Sequence, residues 1–221
     1  MNIENLSEYI IYEDDHFICI NKKAGLLSQP GKSNDVSLQK LLESVYNCTI
    51  FLINRLDRPV SGLCLFAKTR RYAGIMSSVH GNERTKKTYL AITENKPDPP
   101  DGKLENYLIK KGNKTCVVED LAAGKKSVLK YKYLKSSENY FFIEIELLTG
   151  RFHQIRAQLS NIKCFIKGDV KYGARRSNAD RSIGLHAWKL EFIHPVSFNK
   201  IILEAPLPED NIWKSFSADL K

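Results

Sequence analysis

The sequence predicts an α+β fold, and three observations support that prediction. Short β-rich runs recur along the chain, a few helical patterns are interspersed among them, and neither repeats nor a low-complexity linker interrupt them. Hydrophobic residues make up 43% and charged residues 27% of the 221 positions, as in an ordinary globular protein. A chain of this length buries a sizeable core without disulfides or metal. We therefore predict one domain over residues 1–221.

The N-terminal part is predicted to form a β-hairpin followed by loops and two helices. Residues 9–21 read as two strands around an acidic turn at Asp14 and Asp15. A glycine- and proline-containing loop leads to a helix over residues 35–45, where apolar residues recur at helical spacing and Asn34 or Asp35 can cap. Residues 50–66 are apolar but broken by Pro59, and a second helix is predicted around residues 71–80.

The C-terminal part is predicted to be mostly β. Strands over residues 88–93 and 104–110 flank a proline-rich loop that contains Gly102, and residues 126–134 and 140–148 form a hairpin. A helix over residues 153–160 follows. Residues 163–173 read as a short strand and a turn, and strands over residues 184–192 and 200–205 complete the sheet.

The charge balance predicts a polyanionic partner. Thirty-four Lys and Arg against 25 Asp and Glu leave a net charge of +9 and a pI near 9.2. A basic protein with scattered surface charge is the alternative. The candidate phosphate contacts are four basic pairs, each of which could equally be solvated surface charge: Lys86-Lys87, Lys110-Lys111, Lys125-Lys126 and Arg175-Arg176.

Cysteine usage and the N-terminus predict a cytoplasmic protein. The five cysteines are odd in number, form no Cys-x-x-Cys pair and sit mostly among apolar neighbours, as expected of free thiols in a reducing compartment. No histidine shows zinc-ligand spacing with them, so we expect no metal. The acidic N-terminus lacks the basic region of a signal peptide, and no run is long enough to span a membrane.

The segment over residues 54–63 places a carboxylate in apolar surroundings. Asp57 lies between Arg55 and Arg58, with Leu56 and Leu63 nearby. Because an ionised carboxylate in such a place is costly unless it is paired, the fold is expected to supply a cation. The alternative is a loop aspartate that caps a turn before the proline.

A second segment, over residues 149–159, concentrates hydrogen-bond donors where a helix begins. His153 and Gln154 fall near the helix start, where anions are favoured, and Arg156 follows about one turn later. Ile155 and Leu159 share an apolar face. An amphipathic helix with solvated charges is the alternative. We assign buried hydrogen bonds, and no catalytic role, to Asp169, His186 and His194.

Together these segments resemble the RluA-type family of RNA pseudouridine synthases along nearly the whole chain. The family's Arg-Leu-Asp…Ser-Gly motif matches residues 55–62, and its Gly-Arg-x-His-Gln-Ile-Arg…Leu motif matches residues 150–159. Its Gly-Asp…Tyr-Gly and Leu-His-Ala…His-Pro motifs match residues 168–173 and 185–195. The chain departs from the pattern at Lys23, Asn54 and Val60. The resemblance implies a mixed, mostly antiparallel central sheet with flanking helices. Because little sequence precedes Ile10, we expect no separate N-terminal RNA-binding domain of the kind found in some relatives.

The resemblance also implies an activity, the isomerisation of uridine to pseudouridine in rRNA or tRNA without cofactor or metal. Asp57 is similar to the family's catalytic aspartate, Arg156 to its basic partner and Tyr89 to the tyrosine that lies against the uracil. Substrate-binding roles are expected for Arg55, Arg151, His153, Gln154, Ile155 and Leu159. We expect a monomer that binds RNA. The alternatives are an inactive RNA-binding protein of the same fold and, less favoured, a hydrolase, which would need a second carboxylate.

Overall fold

The computed structural model describes residues 5–31, 35–79, 85–120 and 122–217. Their contacts divide the chain into two compact units. Unit 1 comprises Met1–Lys86 and Ala187–Leu207, and unit 2 comprises Lys87–His186 and Pro208–Lys221. Within the described ranges, no helix is both long and apolar enough to cross a membrane. The prediction of one domain over residues 1–221 stays a prediction.

The elements alternate as expected for an α+β fold, which confirms that prediction. The strands are β1 (Ile10–Glu13), β2 (Phe17–Lys22), β3 (Phe51–Leu52), β4 (Ser61–Ala67), β5 (Thr85–Thr93), β6 (Asp101–Lys111), β7 (Lys114–Val118), β8 (Lys125–Ser136), β9 (Phe141–Leu147), β10 (Leu185–Ile193) and β11 (Lys200–Glu204). The α-helices are α1 (Leu38–Tyr46), α2 (Arg70–Val79), α3 (Gln154–Asn161) and α4 (Asn211–Ser217). Leu6–Tyr9 and Val170–Tyr172 are short 3-10 turns.

The sheet of unit 1 is built on the predicted N-terminal hairpin. β1 pairs antiparallel with β2, β2 pairs antiparallel with β4, and β11 pairs antiparallel with β10. β2 is buried along almost its whole length because side chains on both of its faces are covered. Phe17, Leu65 and Phe192 belong to the core that packs against this sheet.

Helix α1 begins later than the sequence predicts. Its N-cap is Ser37, whose hydroxyl accepts a hydrogen bond from the Lys40 amide, so the helix starts at Leu38. The prediction of Asp35 as a cap is therefore wrong. The Asp35 carboxylate instead accepts a 2.8 Å hydrogen bond from Arg58. Asn34, the other predicted cap, lies outside the described residues, as does the last residue of the predicted second helix, His80.

Unit 2 contains an antiparallel sheet in the order β5-β9-β8-β6-β7. The predicted hairpin of β8 and β9 is confirmed, and β6 begins earlier than predicted because Gly102 pairs with Tyr131. In this unit β7 and α4 were not predicted, and in unit 1 the sequence analysis assigned no strand where β3 and β4 form. The side chains of Trp213 and Phe216 on α4 pack against Phe142, with the Phe216 ring stacked at 4.5 Å.

Residues 163–173 do not form the predicted strand. Only a single antiparallel bridge joins Ile166 to Thr93, and a 3-10 turn follows. Gly168 has φ +84°, and a Cβ there would come within 2.8 Å of the carbonyl oxygen of Ser182. This position therefore requires glycine, and the turn that follows it fixes the backbone of Asp169.

Candidate active site

Asp57 lies on a loop between β3 and β4 whose backbone is held by other parts of unit 1. The Ser28 hydroxyl accepts a 3.0 Å hydrogen bond from the Leu56 amide and donates one of 2.9 Å to the Leu56 carbonyl. The Val60 amide closes a turn by donating to the Asp57 carbonyl at 3.0 Å. Asp57 is half-buried, whereas Arg55 is exposed. The loop thus presents the carboxylate from a fixed backbone.

A buried lysine, which the sequence analysis missed, supports this loop. The Lys22 side chain is fully buried, and its ammonium donates to the carbonyls of Lys23, Leu26 and Arg58 at 3.0, 2.9 and 3.4 Å. Burial lowers the pKa of Lys22 to about 8, and the nearby Asp57 carboxylate opposes that change. Lys22 is therefore a cation of unit 1 that lies near enough to Asp57 to interact with it electrostatically.

Asn54 and Gly62 join the loop to β4. The Asn54 amide donates to the Leu63 carbonyl at 3.0 Å and accepts from the Leu65 amide at 2.7 Å. Gly62 has φ +110°, and a Cβ there would come within 2.2 Å of the Ala187 carbonyl oxygen. Only glycine allows the backbones to approach so closely.

In unit 2, helix α3 carries a buried arginine in a two-pronged ion pair. Nε and Nη2 of Arg156 each donate at 2.7 Å to a separate carboxylate oxygen of Asp169. The side chains of Arg156 and Asp169 are only 6% and 2% exposed. The guanidinium also lies 4.8 Å from the ring centre of Tyr172. This geometry is the strong, planar form of an arginine–carboxylate pair, and it fixes the orientation of Arg156.

The start of α3 is shaped by His153, which adopts a left-handed conformation with φ 54°. Its Nδ1 lies 2.9 Å from the Tyr172 hydroxyl, and its ring stacks on Phe152 at 3.8 Å. The Tyr172 hydroxyl in turn accepts a 2.7 Å hydrogen bond from the Thr115 amide. Aromatic and hydrogen-bond contacts together hold this turn.

The remaining residues predicted on this segment differ in exposure. Gln154 is buried, and its amide accepts from Thr149 and Arg151 and donates to the Val128 carbonyl. These contacts fix the loop that precedes α3. Arg151 is exposed, whereas Ile155 and Leu159 are 5% and 0% exposed. Tyr89 on β5 is 8% exposed and lies opposite Ile145 of β9.

Comparison with known proteins decides the family. The family model described as RNA pseudouridylate synthase matches residues 16–161. Ribosomal large subunit pseudouridine synthase C of Rickettsia bellii is 34% identical over 208 residues, which cover 91% of this chain and 69% of that protein. The chain belongs to the RNA pseudouridylate synthase family. A second relative, the RNA pseudouridine synthase YhcT of Bacillus subtilis, is 31% identical with the same coverage.

Solved structures agree on the fold. Human RNA Pseudouridylate Synthase Domain Containing 4 matches with a TM-score of 0.79 and 22% identity, covering 97% of this chain and 94% of that chain. Human RNA Pseudouridylate Synthase Domain Containing 1 matches with a TM-score of 0.74 and 22% identity, covering 93% and 85%. The predictions of a pseudouridine synthase fold and of membership in this family of isomerases are confirmed.

Family membership leaves the individual roles of the site residues as predictions. Asp57 and Arg55 lie in unit 1, and the other predicted site residues lie in unit 2. The pairing of Asp57 with Arg156 stays a prediction, and the carboxylate that holds Arg156 within unit 2 is Asp169. The sequence analysis expected Asp169 to be buried and hydrogen-bonded but did not identify its partner. Among the described residues, no three metal-ligating side chains cluster to form a metal site.

Proposed function

We propose that this pseudouridine synthase isomerises uridine to pseudouridine in ribosomal RNA, with Asp57 as the reacting carboxylate. The observation that carries the proposal is the anchoring of the Asp57 loop, in which Lys22 and Ser28 fix the backbone on either side of the carboxylate. The choice of ribosomal RNA is supported by relatives named ribosomal large subunit pseudouridine synthase C. Transfer RNA is the alternative substrate.

The reaction requires no external reactant. The N1–C1′ bond of the nucleotide breaks, the uracil turns, a C5–C1′ bond forms, and the proton lost from C5 is balanced by one gained at N1. The uridine must leave its stack for this to happen, which costs a few kcal/mol and less in a loop. In this proposal the Asp57 carboxylate attacks the ribose or the uracil, or assists formation of a glycal, and an ionised carboxylate suits each role.

The side chains of unit 2 would hold the base. The Tyr89 ring and the apolar side chain of Ile155 offer surfaces against which uracil can turn without being fixed by hydrogen bonds, and Leu159, which is fully buried, would support them from the core. Arg156, whose orientation is set by Asp169, would stabilise the negative charge of Asp57 or of the reacting nucleotide. Arg55 would help to hold the RNA open.

The rest of the protein supplies affinity for RNA. The net charge of +9 favours phosphate contacts, which give binding that depends strongly on salt. All five cysteines are free thiols, which supports a reducing, cytoplasmic location. We also propose that the protein acts as a monomer.

The decisive experiment compares wild type with Asp57→Asn on an in-vitro transcript of large-subunit ribosomal RNA. We expect Asp57→Asn to form no pseudouridine, as read by pseudouridine-specific chemical mapping, and to bind the transcript within about twofold of wild type, since the substitution changes little area and no phosphate contact. Asp101→Asn is the matched control, because Asp101 is exposed on β6, and it should retain full activity.

The outcomes separate the two functions. Full activity in Asp57→Asn would exclude Asp57 as the reacting group. If wild type binds the transcripts but modifies neither ribosomal nor transfer RNA, and RNA from cells lacking the gene keeps every pseudouridine, the chain is an RNA-binding protein of the same fold.

A further inference from the structure

Lys87 lies on the same face of β5 as Tyr89. The two residues are separated by one position, so their side chains leave the strand on the same side, about 6.7 Å apart along it. Tyr89 pairs with Ile145 and Thr88 with Glu146 of β9, and Lys87 is the residue of β5 that comes just before this paired stretch. Lys86, the other member of this basic pair, points to the opposite face and is exposed.

The face that carries Lys87 and Tyr89 is the covered face of the unit 2 sheet. Cross-strand pairing puts Ile145, Tyr131 and Leu129 on this face, and all three are buried. Leu108 belongs to the same face by its register and packs with Ala157 of α3. Helix α3, which carries Arg156, therefore lies on the side of the sheet from which Lys87 projects.

The opposite face is buried along β5, at Thr88 and Leu90, and carries charged side chains on β6, β8 and β9. On β6, β8 and β9, Lys132 lies between Asp101 and Glu144, and Lys130 lies between Lys103 and Glu146. Lysines on that side have acidic neighbours and water. Lys87 is half-buried and lies on the face that also carries the buried side chains of Ile145 and Tyr131.

The Lys87 ammonium has no protein anion to neutralise it among the residues that the structure describes. No hydrogen bond or ion pair to it is found within those ranges. Burial lowers its pKa to about 8, and no carboxylate opposes that change. Because a half-buried ammonium is less well solvated than one on the surface, an anion supplied by a ligand would stabilise it here.

We propose that Lys87 binds a backbone phosphate of the RNA next to the uridine that lies against Tyr89. This assignment rests on the proposed function and adds a substrate-positioning residue to it. Phosphate is the anion that an RNA substrate brings, and a single ammonium is suited to bind it as a point charge. Strand β5 thus provides the Tyr89 ring for the base and, two residues earlier, the Lys87 ammonium for the phosphate of the RNA backbone.

Three variants test this assignment on the large-subunit ribosomal RNA transcript. We expect Lys87→Gln to raise KM about tenfold while kcat stays within about threefold, and Lys87→Arg to restore KM, since arginine also binds phosphate. Lys130→Gln, the same substitution on the exposed face, is the control and should match wild type. Thermal melts should show that all three remain folded.

A second readout does not depend on turnover. The association constant for RNA is measured at several salt concentrations for Asp57→Asn and for the double variant that also carries Lys87→Gln. The slope of its logarithm against the logarithm of the salt concentration should be shallower by about 0.7–0.9 in the double variant, the value expected for loss of one phosphate contact. An unchanged slope and KM would overturn the assignment. So would a fall in kcat at constant KM that Lys87→Arg does not rescue, because the amine would then take part in the chemistry. If wild type proves inactive, the proposed function fails while the salt slope still decides the role of Lys87.

Discussion

Replacing Asp169 with asparagine should strongly destabilise unit 2. The carboxylate accepts two hydrogen bonds of 2.7 Å from Arg156, and both side chains are almost completely buried. Asparagine has nearly the same shape but offers one acceptor only. Its amide nitrogen, a donor, would then face a guanidinium N–H, and the positive charge of Arg156 would lose its neutralising partner inside unit 2.

The expected magnitude follows from the burial. Removing one partner of a buried ion pair costs about 3–5 kcal/mol, and here the guanidinium would lose the carboxylate that accepts two of its hydrogen bonds. For a chain of this size each kcal/mol shifts the melting temperature by roughly 2–4 °C. Asp169→Asn should therefore lower Tm by about 6–20 °C. The exposed pair of Asp35 with Arg58, in which the side chains are 44% and 54% accessible, should contribute at most about 1 kcal/mol.

Thermal melts followed by circular dichroism, together with urea unfolding, would measure both variants. Asp35→Asn serves as the control, since it also removes a charge from an arginine pair. A double variant with Arg156→Met and Asp169→Leu should be less destabilised than Asp169→Asn, because it leaves no buried charge. A loss of less than about 1 kcal/mol in Asp169→Asn would show that Arg156 does not depend on this carboxylate, and the account of its positioning would be wrong.

Two further predictions concern unit 1. Gly62→Ala should lower the free energy of unfolding by at least about 3 kcal/mol, because the positive φ of Gly62 and the adjacent backbone leave no room for a methyl group. Gly74→Ala in α2 should raise it by about 0.5–1 kcal/mol, since a Cβ at that position meets no other atom. Equal Tm values for the two variants would contradict this prediction. Between pH 8 and the ordinary lysine pKa of 10.5, Lys22 is deprotonated in the folded protein but still protonated in the unfolded chain. Urea unfolding should therefore show that the free energy of unfolding of wild type rises by about 1.4 kcal/mol per pH unit relative to Lys22→Met over this range. A difference that does not change with pH would show that burial does not lower the pKa of Lys22.

Most strands were predictable because they are short runs rich in β-forming residues and bounded by turn residues, although β2 and β5 are buried on both faces and do not alternate. The exceptions carry weaker signals. β7 has only five residues, yet it follows Gly112-Asn113, a two-residue turn of the kind that joins hairpin strands and that signals a strand after it. The sequence signal for helix α4 is Asp210, whose carboxylate accepts hydrogen bonds from the backbone amides of Ile212 and Trp213 at the start of the helix.

The contacts within the site were harder to predict than its residues. Arg156 and Asp169 are separated by 13 positions and lie on different elements, so no spacing rule relates them. Lys22 ends an apolar strand and looks like an ordinary surface lysine at the start of a loop. Its ammonium donates to two carbonyls of its own loop and to that of Arg58, which is 36 positions away, and only the folded backbone brings these together.

The departures of this chain from the family pattern at Asn54 and Val60 are compatible with a functional site. Asn54 offers both a donor and an acceptor, and it uses them to fix β4 rather than to contact the Asp57 carboxylate. Val60 needs no hydroxyl for its turn, because its backbone amide closes the turn and its side chain is 2% exposed in the core. Since Lys22 and Ser28 hold the loop independently of both positions, the orientation of Asp57 does not depend on the family residues that this chain lacks.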